Sequence, residues 1–250
     1  MNETELFESL EKEYKVDFSG WDFSHIEESE RNVSTPLTWN YRNEIAPYLK
    51  SASTLLDLGT GGGEFLDSLD CLPAKTFATE GYALNLPIAR ARLAHRGIEV
   101  RSIEEDKIPF IDGFFDVVID RHESYRETEV ERVLVPGGYF ITQQVGGLND
   151  ADLLLWMGAP PSEYASWSLG SAMARLERAG FSIIRRKECV GVSRFFDVGA
   201  LVYYLKCVPW MVPDFSLEKY RDEILRVAGV IEEEGYIDFI RHRFLIVAGC

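Results

Sequence analysis

Residues 53–69 constrain this chain more than any other stretch. Leu55-Leu56-Asp57-Leu58 is a short apolar run closing on an acid and a leucine. Gly59-Thr60-Gly61-Gly62-Gly63 follows, and Glu64 opens a helical pattern that reaches Leu69. Glycine adopts backbone angles that other residues avoid and leaves room for a ligand against the main chain. A strand meeting a helix across such a turn belongs at the C-terminal edge of a parallel sheet, with the ligand at the helix start. The downstream pattern agrees. Strands are predicted at 76–80, 98–103, 115–120 and 139–145, with helices at 84–95 and 127–134 between them. Gly97 and Pro136-Gly137-Gly138 stop those helices. Strands alternating with helices specify a doubly wound α/β sheet.

The flanks read differently. Residues 2–15 form a polar helix with Leu6, Phe7 and Leu10 as its apolar stripe. Residues 16–34 look irregular, and Thr35-Pro36 signals the start of a helix running to about residue 50. Beyond 145, helices are predicted at 150–156, 169–179, 198–207 and 217–234, with strands at 181–195 and 244–248. The stretch between those last two strands is too long for a hairpin and reads as an insertion. The expected organisation is N-terminal helices or a lid over 1–52, a nucleotide-binding core over 53–195, a helical insertion or cap over 196–238, and the last core strand in 239–250.

The net charge of -15 narrows the partners. Residues 1–30 hold ten acids and two bases, so a little over half of it lies there. No basic footprint suits a phosphate backbone, which excludes DNA and disfavours RNA, and repulsion opposes an anionic membrane. The cysteines at 71, 189, 207 and 250 show no CxxC spacing, the four histidines are scattered, and no metal site is indicated. The apolar run at 198–213 is interrupted by Lys206 and Pro209 and is too short to span a bilayer. An acidic start without a signal segment predicts a cytoplasmic protein with reduced thiols.

The glycine segment also bears on the ligand. Glu80 lies 21 residues after Gly59, at the end of the second predicted strand. A carboxylate there can accept from both vicinal ribose hydroxyls. The dinucleotide fingerprint GxGxxG would put its third glycine at 64, where Glu64 stands, a poor neighbour for a pyrophosphate. The run instead reads D-x-G-x-G-x-G from Asp57 to Gly63. That form suits a cofactor with a cationic amino-acid end and no phosphate, which points to S-adenosylmethionine (SAM), with S-adenosylhomocysteine (SAH) as product. A nicotinamide-dependent oxidoreductase ranks last.

Four motifs in order, LLDLGTGGGEFL, ATEGY, EEDKIPFIDGFFDVVID and VERVLVPGGYFITQQ, resemble the class I SAM-dependent methyltransferase superfamily, in particular its type 11 branch of small methyltransferases. The resemblance covers about residues 53–145. It implies a Rossmann-like seven-stranded sheet, mostly parallel, with helices on both faces, the last strand antiparallel and a helical insertion before it. It implies that Asp57, Gly59, Thr60 and Gly61 line the methionine moiety. Glu80 would bind the ribose, Gly81 or Tyr82 would lie against the adenine, and Glu104, with Glu105 as alternative, would meet the adenine amino group. The family often has Asp at the acidic places, so Glu104 departs from the pattern. Asp120, Arg121 and His122 would stand where the methyl group is presented.

Methyl transfer from a sulfonium is an in-line displacement with a good leaving group, so it needs alignment first and a base only for a protonated nucleophile. His122 is the candidate catalytic base, or else a residue that holds the loop. Glu123, Tyr125 and Arg121 are weaker candidates. The Asn-Pro-Pro-Tyr and Pro-Cys runs of nucleic-acid methylases are absent. Aromatic residues cluster at Trp39 and Tyr41, at Trp156, Tyr164 and Trp167, and at Tyr203, Tyr204, Trp210 and Phe215, where they line a lid or pack a core. The expected function is SAM-dependent methyl transfer to a small-molecule acceptor. RNA base methylation and SAM binding without catalysis are the alternatives. The apolar insertion serves either as a lid or as a homodimer contact.

Overall fold

The computed structural model describes residues 2–18, 23–104 and 107–250. Its elements run α1 (Glu3–Tyr14), α2 (Ser24–Glu27), β1 (Asn32–Ser34), α3 (Tyr41–Leu49), β2 (Thr54–Leu58), α4 (Glu64–Asp67), β3 (Lys75–Glu80) and α5 (Asn85–Leu93). After them come β4 (Glu99–Ser102), β5 (Phe115–Arg121), α6 (Glu127–Val133), β6 (Leu134–Val145), α7 (Ala151–Trp156) and α8 (Leu169–Arg178). The chain closes with β7 (Ser182–Phe195), α9 (Val198–Cys207), α10 (Arg221–Glu234) and β8 (Ile237–Gly249).

The strands form one eight-stranded sheet in the order β1-β7-β8-β6-β5-β2-β3-β4. Pairings among β2, β3, β4, β5 and β6 are parallel, and β8 lies antiparallel between β6 and β7. Seven strands therefore have the expected arrangement, and β1 adds an eighth at the edge, antiparallel to β7. Alternate side chains serve two cores, as the pleat requires. Leu55, Val117, Ile119 and Val247 face α3, α4 and α5, whereas Leu56, Val118, Phe140 and Ile246 face α6 and α8.

Two local expectations change. The irregular stretch holds α2 and β1, and the helix expected from Thr35-Pro36 begins only at Tyr41. Thr35 instead continues the edge pairing, its N–H donating to Val192 O (2.8 Å) and its hydroxyl accepting from Val192 N (3.0 Å). Asn40 then caps α3 by accepting from Asn43 N (3.2 Å).

The outer halves of β7 and β8 pair with each other beyond the end of β6. They carry a helical lobe whose core joins Leu10 of α1, Leu153 of α7, Tyr203 of α9 and Val227 of α10. The lobe stands beyond the edge at which the parallel strands end. Tyr203 and Phe215 are buried in its core, whereas Tyr164 and Trp210 are exposed. Among the described residues no helix is long and apolar enough to cross a membrane.

Candidate functional site

The glycine turn is held from the side by β3. Thr60 N donates to Thr79 O (2.8 Å), Gly59 N to Thr79 Oγ1 (3.3 Å) and Gly63 N to Thr60 O (3.1 Å). Gly59 has φ +68°, and an added Cβ would meet Glu123 Cγ at 2.4 Å, so both conformation and space demand glycine there. Glu80 ends β3 beside this turn and is 3% exposed. Its Oε1 accepts from Tyr82 N (2.6 Å), and the backbone N–H groups of Gly61 and Gly81 also favour its ionised form. Burial outweighs these donors and raises its pKa.

Asp57 is buried, and burial lifts its pKa to about 6, against Thr60 and Arg121 and reinforced by Glu80. Thr60 Oγ1 lies near Asp57, yet it is buried and nothing among the described residues meets it at hydrogen-bonding geometry. An orphaned hydroxyl, an acceptor-only carboxylate and a glycine cradle fit a ligand carrying vicinal hydroxyls and a cationic end. Glu64, at the start of α4, pairs with Arg92 (2.8 Å) and stands 2.3 Å from where a Gly62 Cβ would be. An acid thus stands in the first turn of α4, where a pyrophosphate at the helix start would meet a negative charge. Gly81, Tyr82 and Glu104 are exposed on the outer rim. Glu105, the alternative to Glu104, lies outside the described residues.

The second half of the site is the end of β5. Asp120 is fully buried and accepts from Glu123 N (3.1 Å) and Gln144 Nε2 (3.2 Å to each oxygen). Burial, with the charges of Glu123 and Asp57, pushes its pKa well above the usual carboxylate range. Asp120 thus anchors the loop from behind. Arg121 is exposed and stacks over the Phe65 ring at 4.4 Å. Tyr41 wedges its hydroxyl between β5 and β6, accepting from Asp120 N (3.1 Å) and facing the carbonyls of Asp120 (2.8 Å) and Ile141 (2.9 Å).

His122 adopts φ +75°, a left-handed angle unusual for a side-chain-bearing residue. Its N–H donates to Gln143 O (2.8 Å), and its Nε2 stands 2.9 Å from Gln143 Nε2. The Trp39 indole N–H, which can only donate, binds Gln143 Oε1 at 2.8 Å. Gln143 must therefore turn its NH2 toward His122, and His122 Nε2 must accept. The hydrogen-bond network assigns a neutral imidazole with its proton on Nδ1. The residue as a whole is exposed, yet desolvation of its imidazole, then the charges of Arg243, Arg121 and Arg241, push its pKa well below the ordinary histidine value. We expect 15N NMR at pH 7 to show Nε2 unprotonated and Nδ1 protonated. Trp39→Phe should relax this into a tautomer mixture, and an unchanged spectrum would remove the relay.

The structure brings together Asp57, Gly59, Thr60, Gly61, Glu80, Gly81 and Tyr82 at the ends of β2 and β3. Asp120, Arg121 and His122 sit at the end of β5, joined to the first group by Glu123 lying over Gly59. Sequence reading missed Gln143 and the Trp39 contact. The signal available was a Gln143-Gln144 pair in an otherwise apolar strand. Among the described residues no three His, Cys, Asp or Glu side chains cluster as metal ligands.

Residues 56–142 match the model of a family described as a methyltransferase domain. No curated protein matches the chain. Among solved structures, a candidate methyltransferase of Bacillus halodurans C-125 is similar at 18% identity and a TM-score of 0.60, over 84% of this chain and 98% of that one. The YcgJ protein of Bacillus subtilis is similar at 15% identity and a TM-score of 0.56, over 84% and 97%. An S-adenosylmethionine-dependent methyltransferase of Mesorhizobium loti is similar at 15% identity and a TM-score of 0.52, over 84% and 95%. At these identities the likeness establishes the fold.

Proposed function

We propose that this chain, whose residues 56–142 match the model of a methyltransferase domain, belongs to the class I SAM-dependent methyltransferase superfamily and transfers a methyl group to a small-molecule acceptor. The observation that carries this reading is the pairing of a buried Glu80 carboxylate with a glycine turn whose next acid, Glu64, repels a pyrophosphate. SAM, when bound, supplies an electrophilic methyl group on a sulfonium. Glu80 accepts the ribose hydroxyls, and the backbone at Gly59 and Gly61 leaves room for the methionine end.

His122 and Arg121, at the end of β5, face the acceptor side. With its Nε2 lone pair engaged by Gln143 and its pKa held low, His122 is a weak proton acceptor. It serves as a base only for a readily ionised nucleophile, and alignment supplies most of the rate. Net charge speaks against RNA as acceptor.

Calorimetry with SAM, SAH and NADH tests the cofactor. We expect micromolar binding of both SAM forms and none of NADH. If neither binds the folded protein, the proposal fails. Transfer of label from SAM to any member of an acceptor panel then separates an enzyme from a SAM-binding protein without turnover.

A further inference from the structure

Arg121 precedes His122 at the end of β5, Arg241 and Arg243 lie on β8 toward the same end of the sheet, and none of the three makes a salt bridge among the described residues. Arg121 makes its ring contact with Phe65. Arg241 and Arg243 lie two residues apart on β8 and so project from the same face. Arg241 Nη1 donates to Thr35 O (3.1 Å). Arg243 Nη1 donates to Asn149 Oδ1 (2.5 Å) and to His242 O (2.9 Å), while its Nε is buried with no acceptor. Asp150 lies near enough to offset part of the Arg243 charge but makes no ion pair with it, and its Oδ2 accepts from the Tyr204 hydroxyl and the Asn149 amide, both at 2.6 Å.

This arrangement is costly in a chain with 41 acids and 26 bases. Half-buried arginines elsewhere find acids: Arg31 makes a two-pronged contact with Asp197, and Arg132 binds both Glu129 and Asp112. At Arg243, burial and the neighbouring Arg241 both disfavour the charged form. An anion would remove the repulsion, satisfy the orphaned Nε and use the planar fork of each guanidinium.

We propose that Arg241 and Arg243, with Arg121 opposite, hold the anionic head group, carboxylate or phosphate, of the methyl acceptor beside His122. This rests on the methyltransferase reading for the word acceptor, but the anion site itself does not need the cofactor. Three arginines without a salt bridge at one end of the sheet, within an acidic chain, match one anionic group rather than the extended stripe that a nucleic-acid backbone needs.

The test follows the arginine Nε–H signals by 1H–15N NMR while acetate, inorganic phosphate or neutral acetamide is added to the full-length protein, with and without SAH. We expect the Arg243 signal to shift saturably with acetate or phosphate and not with acetamide, and the tighter of the two identifies the head group. Arg241→Gln and Arg243→Gln should each weaken anion binding about tenfold or more, the worth of a charge-assisted hydrogen bond. Both variants should keep wild-type SAH affinity and melting. Arg241→Gln gives the decisive result if Arg243→Gln fails to fold. No saturable shift with either anion, or undiminished binding in Arg241→Gln, overturns the proposal. Tighter binding of a short oligoribonucleotide than of either anion overturns its small-molecule part. Loss of SAH binding in the wild type alone would sink the cofactor reading and leave the anion result standing.

Discussion

Glu80→Ala is expected to weaken SAM and SAH binding about a hundredfold, because two hydroxyl-to-carboxylate hydrogen bonds are each worth about 1.5 kcal/mol or more. The fold should survive. Burial already disfavours the Glu80 charge, and the Gly81 and Tyr82 backbone that bonds to it is exposed to water. Glu80→Gln keeps the size and one acceptor oxygen, so it should fall between wild type and alanine. Calorimetry reads the affinities, and thermal melting checks that the variants remain folded. An alanine variant that binds SAH within about twofold of wild type would remove Glu80 from the cofactor site, since a single retained hydrogen bond is worth more than that.

Stability should fall as pH rises from 5 to 7.5. Burial raises Asp57 and Asp150 to about 6, from an ordinary value near 4. Both are raised, so the folded state holds more protons than the unfolded chain between these values. The stabilisation is complete below about pH 4 and gone above about pH 6. Each carboxylate should cost about 1.4 kcal/mol over the interval from pH 5 to 7.5. Asp120, raised well above its usual range by burial and by Glu123, extends the trend upward. Other groups act in the opposite sense. His122, held well below the ordinary histidine value, disfavours the folded state below about pH 6.5 and so offsets part of this fall. Two paired acids act at lower pH. Burial raises Glu44 and Asp197, but Lys187 and Arg185 beside the first and Arg31 beside the second outweigh it. Their contribution is lost only as pH falls through the ordinary carboxylate range and below. Urea denaturation at pH 5 and 7.5 measures the slope, and Asp57→Asn should flatten it. A wild type more stable at pH 7.5 than at pH 5 would contradict the assignment.

The parts of this protein that were legible in its sequence are those whose partners are close by. The glycine turn, Glu80 and the strand-helix alternation through Val145 depend on neighbours within one βαβ unit. The parts that were not legible depend on distant ones. Thr35-Pro36 looks like a helix start until Val192 offers Thr35 a ladder partner. His122 reads as a free base until Gln143 takes its lone pair, and Gln143 is oriented only because Trp39 reaches it across 104 residues. Arg241 and Arg243 stand in a short basic run, Arg241-His242-Arg243, with no partner nearby in sequence. Their meaning comes from β8 lying antiparallel beside β6, which carries them to the end of the sheet where His122 stands.

The edge strand β1 and helix α1 have a consequence for biosynthesis. Asn32–Ser34 pairs with residues 193–195, and Leu10 packs in a core completed by α9, α10 and β8. At roughly 5–20 residues per second, these early segments leave the ribosome about 10–40 s before their partners exist. The central sheet from β2 to β6 can assemble in that interval from contacts nearer in sequence, whereas the lobe must close last, across almost the whole chain. Over that interval the dense negative charge of residues 1–30 disfavours contact between the waiting helix and other acidic surfaces.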